Sequence, residues 1–277
     1  MKMLDFQVHR SEIIQTDRYK AICERLGIPY YKIDFLSRSG IWRGQHINKP
    51  DFSHLQLLVT GHSDYPLDEH RFGQATPYLK RWFSTNVTHA DPRLIGIPLG
   101  VTNYTDETPL HPIIGNLDPL LACHDRPKKA TNLVYMNFSI ATFPQERQPL
   151  FDLFKDRAFV TMEPVNQSVA GHQRFLQQIY DHPFVLCPRG NGIETHRMWE
   201  ALYLQSIPIV RRCHAMSFFE DLPILFVDRW EEALDPQFLK CTYDEFQNRH
   251  WNMEKMTISY WEQQFRMAHE TLNGFAA

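Results

Sequence analysis

The sequence predicts an α/β fold built as two halves, each with its own sheet. Short apolar runs alternate along the chain with helix-like segments, and this alternation is typical of α/β layers. The runs are continuous rather than alternating, as expected for parallel strands buried on both faces. A polar, proline-containing segment at 120–131 is the best candidate linker. It divides the chain into parts of about 120 and 150 residues, each large enough for a domain.

Seven apolar runs predict strands, in chain order, at residues 55–60 (LQLLVT), 94–98 (LIGIP), 133–136 (LVYM), 158–162 (AFVTM), 184–187 (FVLC), 207–210 (IPIV) and 224–227 (ILFV). Between and after them, helices are predicted at 151–155, 171–180, 194–204 and 243–249, and a closing helix at 253–275. The most informative unit is 184–210, which has the form of one strand–loop–helix–strand unit.

Composition excludes several classes of protein. The net charge is -3 and the pI about 6.5, whereas a nucleic-acid-binding protein would carry a strong basic bias. The five cysteines are scattered and lack C-x-x-C spacing, which predicts reduced thiols in a cytoplasmic protein. The first residues do not form an apolar signal segment, and no run is long enough to span a membrane.

The loop PRGNG, residues 188–192, lies between a predicted strand and a predicted helix. Ligands of open parallel sheets bind beyond the carboxyl ends of the strands. Gly190 and Gly192 allow the backbone to approach a ligand closely, and a helix N-terminus attracts anions. Arg189 precedes the glycines, Thr195 can cap the helix, and Arg197 lies one turn further on.

Helical spacing places Glu194, Arg197 and Glu200 on neighbouring rows, opposite Met198 and its apolar neighbours. Arginine together with a helix N-terminus suits a diphosphate, and a nearby glutamate suits sugar or ribose hydroxyls. The alternative is a tight turn in which Arg197 and Glu200 pair on a solvated surface. The loop matches neither the P-loop nor the G-x-G-x-x-G pattern, so those two nucleotide-binding readings lose support.

The whole stretch, CPRGNG followed by ETHRMWEALY and IPIV, resembles the donor-site motif of exostosin-like glycosyltransferases, whose relatives include ribitol xylosyltransferase. Residues 133–147 (LVYMNFSIATFPQER) look like an earlier strand and loop of the same donor domain. The resemblance covers most of 131–228, and the N-terminal half matches only in outline. One departure is Gln205-Ser206, where a Gly-Cys pair is common in the family.

This resemblance implies the α/β GT-B fold, with two Rossmann-like domains facing a cleft. It implies an acceptor-binding domain at 1–125, a nucleotide-sugar-binding domain at 126–252 and a closing helix at 253–277. The residues that the resemblance assigns to the donor site would contact the diphosphate, the ribose or sugar and the base, or form the opposite wall of the pocket. They are Arg189, Gly190, Asn191, Gly192, Glu194, Thr195, Arg197, Glu200, Asn137, Ser139, Arg147 and Thr161. Arg147 could equally be an exposed residue at a helix start, and Thr161 an ordinary strand residue.

The catalytic base is expected in the N-terminal half, because the predicted strand 55–60 runs directly into ionisable residues. An inverting transfer needs one base to accept the proton of the acceptor hydroxyl. Asp64 is the first choice, followed by His62 and Glu69, although a solvated acidic turn explains these residues equally well. Further residues that could border the acceptor are Arg43, Trp82, Asn86 and Asn103.

The predicted function is therefore an inverting, metal-independent glycosyltransferase that moves a sugar from a UDP-sugar, with UDP-xylose as one candidate, to a glycan acceptor. No D-x-D triplet and no zinc-type spacing occur in the sequence, so neither a metal nor another cofactor is expected. One alternative is a catalytically silent nucleotide- or glycan-binding module on the same fold. A second is an α/β phosphotransferase, which the missing P-loop disfavours.

Overall fold

The computed structural model describes residues 1–32, 40–42, 45–47, 54–61, 63–129 and 132–274. Within this part of the chain two parallel sheets lie one after the other in sequence, with a short antiparallel hairpin inserted in the first half. This mixed α/β architecture is compatible with two Rossmann-like domains.

The first sheet has four strands in the order β1-β4-β5-β6, and all its pairings are parallel. Its strands are β1 Tyr30–Lys32, β4 Leu57–Gly61, β5 Arg81–Ser84 and β6 Leu94–Gly96, and the hairpin consists of β2 Gly40–Trp42 and β3 Gln45–Ile47.

The second sheet has five parallel strands in the order β11-β10-β9-β7-β8. They are β7 Val134–Met136, β8 Val160–Met162, β9 Phe184–Leu186, β10 Ile207–Arg211 and β11 Leu225–Val227. The chain first runs from β7 to β8 on one side and then continues from β9 on the other. The direction of winding therefore reverses between β7 and β9, which is where ligands of such sheets bind.

The described part of the chain contains ten α-helices. They are α1 Thr16–Leu26, α2 Glu69–Phe72, α3 His111–Ile114, α4 Asp118–Ala122, α5 Pro144–Phe154, α6 Val169–Asp181, α7 His196–Tyr203, α8 His214–Ser217, α9 Pro236–Asn248 and α10 Ile258–Gly274. Helix α1 precedes the first strand, and α9 and α10 follow the last.

All seven predicted strands are present, with ends that differ by a few residues from those predicted. The four predicted helices correspond to α5, α6, α7 and α9, and the closing helix corresponds to a short 3-10 turn followed by α10. Helix α7 begins at His196 rather than at Glu194. Its predicted apolar face is confirmed, because Met198, Ala201 and Leu202 are at most 1 % exposed.

The segment predicted as a linker is packed against the second half. Helix α4 ends at Ala122, a 3-10 turn follows at Cys123–Asp125, and the Cys123 side chain is buried. Arg126 then forms a two-pronged ion pair with Asp181 at the end of α6. Residues 120–129 are therefore not an open linker, and residues 130 and 131 lie outside the described part.

Helix α10 packs back onto the first half of the chain. Its Trp261 and Phe265 belong to the same apolar cluster as Tyr19 of α1 and Phe83 of β5. Among the described residues, no helix is both long enough and apolar enough to cross a membrane.

Candidate functional site

A cleft of about 280 Å³ opens at the carboxyl edge of the second sheet, where the winding reverses. Its walls come from the loops that follow β7, β8 and β9 and from helices α6 and α7. Thr102, Leu110 and Ile114 close the side that belongs to the earlier part of the chain. Six of the predicted donor residues meet here, namely Asn137, Ser139, Arg147, Thr195, Arg197 and Glu200.

Arg197 lies in the first turn of α7 and has unused hydrogen-bonding capacity. Its Nε and Nη1 atoms are buried, and neither has a hydrogen-bond partner among the described residues. The guanidinium carbon lies 6.0 Å from the centre of the Phe175 ring, on the adjacent wall. Buried donors without partners are costly in a folded protein. Arg197 is therefore a strong candidate for a contact to an anionic ligand.

Glu200 lies one turn after Arg197 and is also part of the cleft wall. Its side chain is only 5 % exposed, and burial raises its pKa to about 7, against the opposing effect of Arg197. None of the ion pairs between described residues joins Arg197 to Glu200. The alternative of a solvated Arg197–Glu200 pair is therefore wrong, because Glu200 is buried and is not paired with Arg197.

Arg147 is buried, in contrast to the alternative of an exposed helix-start residue. Its Nε donates to the carbonyl of Arg189 at 2.8 Å, and its Nη1 donates to the carbonyl of Ser139 at 2.7 Å. The side chain therefore ties the loop after β7 to the glycine loop after β9. Burial, and after it the charge of Arg197, lowers the pKa of Arg147 to about 10, so the group stays charged at neutral pH.

The remaining cleft wall combines amide and aromatic side chains. Asn137 donates to the carbonyls of Glu163 and Pro164, which fixes the loop after β8. His172 and Phe175 of α6 are stacked, with ring centres 6.1 Å apart and an interplanar angle of 27°. Burial lowers the pKa of His172 to about 4, so this imidazole is neutral at pH 7. The two rings therefore form an uncharged aromatic part of the cleft wall.

Thr195 occupies the N-cap position of α7, but its side chain makes no capping hydrogen bond. Its Oγ1 is buried and without a partner among the described residues. The next residue, His196, lines the cleft and its Nδ1 lies 2.8 Å from the carbonyl of Gly100. This end of the helix therefore carries one unpaired hydroxyl, next to the unpaired groups of Arg197.

Asn86 and Glu194 form a junction between the two halves of the chain. The Glu194 carboxylate is 3 % exposed and accepts from the backbone N–H groups of Asn86 and Leu99 and from the Trp199 indole. Asn86 returns the contact, because its Oδ1 accepts from the N–H groups of Ile193 and Glu194 at 3.0 and 2.8 Å. Burial raises the pKa of Glu194 to about 7 against the effect of these donors.

The same Asn86 holds the turn that carries Asp64. Its Nδ2 donates to the carbonyl of Ser63 at 3.1 Å, and its backbone adopts a positive φ of 53°. A Cβ atom on Gly192 would lie 3.3 Å from Oδ1 of Asp64, so the aspartate packs directly against the glycine loop. Asp64 is exposed and borders this loop, but it does not line the cleft itself.

The structure explains why both glycines of the loop lack side chains. A Cβ atom on Gly190 would lie 3.1 Å from Nη2 of Arg147, and one on Gly192 would press on Asp64 and Asn86. Gly190 also donates its N–H to the carbonyl of Gly192 at 3.0 Å, which closes the loop on itself. The loop is therefore enclosed by Arg147 on one side and by the first half of the chain on the other.

No family model matches this chain, and no curated protein matches it.

Six of the twelve predicted donor residues do not line the cleft. Glu194 belongs to the junction, and Gly190 and Gly192 lie in the wall behind it. The other three are Arg189, Asn191 and Thr161. The Arg189 side chain lines a separate cavity and covers the Phe143 ring at 4.4 Å. Asn191 is exposed at the tip of the loop, and Thr161 lies on the edge strand β8 beside Tyr135. The loop after β8 enters the cleft instead, through the residues Val165, Asn166 and Gln167.

The predicted candidates of the first half are spread out. His62 and Arg43 lie outside the described residues, and Glu69 is exposed at the start of α2. Trp82 and Asn103, named as residues that could border an acceptor, are at most 3 % exposed and do not line the cleft. The Trp82 indole donates to Thr60, and Asn103 bonds to the start of α1.

Sequence reasoning missed His172, Phe175 and His196 as parts of the cleft. His172 and Phe175 carry no motif, and only the amphipathic pattern of α6 indicated that they face inward. His196 belongs to the quoted stretch ETHR, so the helix-start position could have singled it out. All five cysteines are free, as predicted, with three buried and two exposed. In the described ranges, no group of three or more His, Cys, Asp or Glu side chains is arranged to hold a metal ion.

Proposed function

We propose that this chain is a glycosyltransferase of the GT-B type whose cleft binds a nucleotide sugar. The observation that carries the proposal is the pair of buried, unpartnered nitrogen atoms of Arg197 at the start of α7. An arginine and a helix N-terminus together stabilise the negative charge that develops on a departing diphosphate. The resemblance of residues 184–210 to the exostosin-like donor motif assigns the same role to this arginine.

The surroundings of Arg197 fit the other parts of a nucleotide sugar. His172 and Phe175 provide an uncharged aromatic part of the wall that a base can contact. Glu200 and Asn137 provide buried polar groups that can bind ribose or sugar hydroxyls. The sugar that fits the resemblance is part of a UDP-sugar, with UDP-xylose as one candidate, and the acceptor is a glycan.

Asp64 is proposed as the base that accepts the proton of the acceptor hydroxyl. It borders the glycine loop at Gly192, so an acceptor bound beside this loop would meet both the carboxylate and the donor. The transfer would then form a bond between the acceptor oxygen and the sugar carbon, break the bond to the diphosphate and move the hydroxyl proton to Asp64.

Replacing Arg197 tests the donor site. Arg197→Ala should weaken UDP binding by about 10- to 100-fold, because a charge-assisted contact is lost, and the fold should be retained. Isothermal titration calorimetry measures the affinity, and thermal unfolding checks the fold. Arg157→Ala is the matched control, since Arg157 is an exposed arginine of the same half whose side chain donates to the Leu153 carbonyl and lies outside the cleft. Unchanged UDP affinity in folded Arg197→Ala would contradict the donor assignment.

A catalytically silent module is the second candidate, and one observation favours it. Asp64 borders the loop but does not line the cleft. Release of UDP from a panel of UDP-sugars in the presence of glycans distinguishes the two candidates. Binding of UDP-sugars without any release of UDP would favour the silent module.

Transfer should proceed in excess EDTA, because the proposed donor contacts are an arginine and a helix N-terminus rather than a metal ion. The measurement is UDP release with and without the chelator. A complete loss of activity that manganese restores would contradict this prediction.

A further inference from the structure

A second cavity of about 230 Å³ lies behind the glycine loop, beyond the carboxyl ends of β9 and β10. Arg189, Arg211 and Arg212 line it together with one carboxylate, that of Glu146. Arg211 and Arg212 are exposed, so the cavity is open to solvent. None of the cleft functions described above uses these side chains.

The glycine loop separates this cavity from the donor cleft. Arg147 and the position of Gly190 belong to the cleft side, whereas Arg189 and Ile193 face the second cavity. Neighbouring residues of α5 divide in the same way, since Arg147 lines the cleft and Glu146 lines the cavity. The two spaces therefore share one wall and are chemically distinct.

The three guanidinium groups of the cavity differ in their protein partners. Arg212 is paired with Glu220 and Asp228 at 2.8 and 3.4 Å. Within the described part of the chain, the guanidinium groups of Arg211 and Arg189 form no ion pair and donate to the backbone carbonyls of Asp228 and Asn191, at 3.3 and 3.2 Å.

One further donor in this cavity has no protein partner. The Nε atom of Arg189 is buried and lacks a hydrogen-bond partner among the described residues. The carboxylate of Glu146 accepts from the backbone N–H of Arg189, and burial raises its pKa against the opposing charges of Arg211 and Arg189. Two guanidinium groups with free donors in a solvent-open pocket are the arrangement that binds an oxyanion.

We propose that the Arg189–Arg211 cavity is a second anion site, which binds an acidic group, a phosphate or a carboxylate, of the acceptor. The inference rests on the proposed function for the identity of the ligand as an acceptor. Asp64 touches the glycine loop at Gly192, next to Ile193 of the cavity wall. An acceptor anchored in this cavity would therefore lie beside the same loop as the proposed base.

Calorimetry in an Arg197→Ala background tests the site, because this background removes the main anion contact of the donor cleft. The probes are inorganic phosphate and glucuronate. At least one of them should bind, and adding Arg189→Ala or Arg211→Ala should weaken that binding about 10-fold or more. Adding Arg157→Ala should leave it unchanged. Tighter binding of phosphate indicates a phosphorylated acceptor, and tighter binding of glucuronate indicates a uronic acid.

Two results would overturn the proposal. One is that neither anion binds, or that binding persists in both the Arg189→Ala and Arg211→Ala variants. The other is that the single variant Arg189→Ala loses UDP affinity as strongly as Arg197→Ala, which would make Arg189 part of the donor site. Failure of the proposed function has a different signature, namely that the unmodified protein does not bind UDP while the Arg189-dependent binding of phosphate or glucuronate remains.

Discussion

Glu194 of the junction and Arg197 of the cleft are three positions apart along the chain, yet their polar groups are used in opposite ways. In the junction, the buried carboxylate of Glu194 accepts three hydrogen bonds from the protein. In the cleft, Arg197 and Thr195 have buried polar atoms with no partner among the described residues.

This difference separates structural from ligand-binding roles in one sequence motif. Glu194 and Glu200 are both buried, and burial raises the pKa of both to about 7. Only Glu194 is surrounded by N–H donors that stabilise its ionised form. We infer that Glu194 joins the two halves of the chain, whereas Glu200 and Arg197 bind a ligand. Variants of Asp64, Glu194 and Glu200 test this contrast.

The largest effect is expected at the edge of the junction. Asp64→Asn keeps the shape of the turn beside Gly192 but removes the proton acceptor, so turnover should fall ~10²–10⁴-fold. UDP affinity should be unchanged, because Asp64 does not line the cleft. UDP release from UDP-sugars measures turnover, and calorimetry measures UDP affinity.

The matched control for Asp64 is Asp106→Asn, another exposed aspartate of the first half. It should leave turnover unchanged. If Asp64→Asn retains normal turnover while Glu69→Gln or His62→Ala loses it, the base is one of these neighbours. If all of these variants remain active, the base lies outside this loop.

Breaking the junction should lower stability. Glu194→Gln replaces one acceptor oxygen by an NH₂ group. This group must face at least one of the N–H donors from which the carboxylate now accepts a hydrogen bond. Each buried donor left unpaired costs about 1–3 kcal/mol. Urea unfolding at pH 4.5 measures the loss, because Glu194 is then protonated in the folded protein and its raised pKa does not oppose the effect. The exposed Glu231→Gln is the control. An unchanged free energy of unfolding would mean that the junction contributes nothing to the stability of the fold.

The sequence predicted strands best where burial makes them continuously apolar. Strands β9 and β10 are buried along almost their whole length, and their runs FVL and IPIV are easily recognised. Strands β1 and β5 were missed, since YYK and RWFS mix polar and apolar residues over three or four positions.

Helix α1 was also missed, because only a narrow stripe of it is apolar. Tyr19, Ile22 and Cys23 are buried, but charged residues surround them in the sequence. Gly27, with a φ of 69°, ends the helix in the left-handed region. Such a C-terminal glycine is a signal that could have revealed the helix.

The candidate site was predictable only where it belongs to one contiguous motif. Arg197 and Glu200 follow from helical spacing and from the resemblance, but the direction in which a loop residue points does not. Arg189 belongs to the same loop as Gly190 and Asn191, yet its side chain points away from the cleft and packs over the Phe143 ring. The contact of Asn86 with Glu194 spans 108 residues, so no local pattern could indicate it.

The smallest effect is expected at Glu200, and it should depend on pH. Burial raises the pKa of this carboxyl from its ordinary value of 4.5 to about 7 in the folded protein. Between pH 4.5 and about 7 the Glu200 carboxyl keeps a proton in the folded state that it releases in the unfolded state. The contribution of Glu200 to stability is therefore largest below pH 4.5 and is lost as the pH rises to about 7. Glu200→Gln removes this loss. It should therefore unfold like the unmodified protein at pH 4.5 and be more stable at pH 8, by on the order of 1–3 kcal/mol. Urea unfolding at the two pH values measures the difference in the free energy of unfolding between the variant and the unmodified protein. Because both proteins contain Glu194, its contribution cancels in this difference. A Glu200→Gln variant that is less stable at pH 8 would mean that the ionised carboxylate has a protein partner, and the contrast between cleft and junction would then fail at this residue.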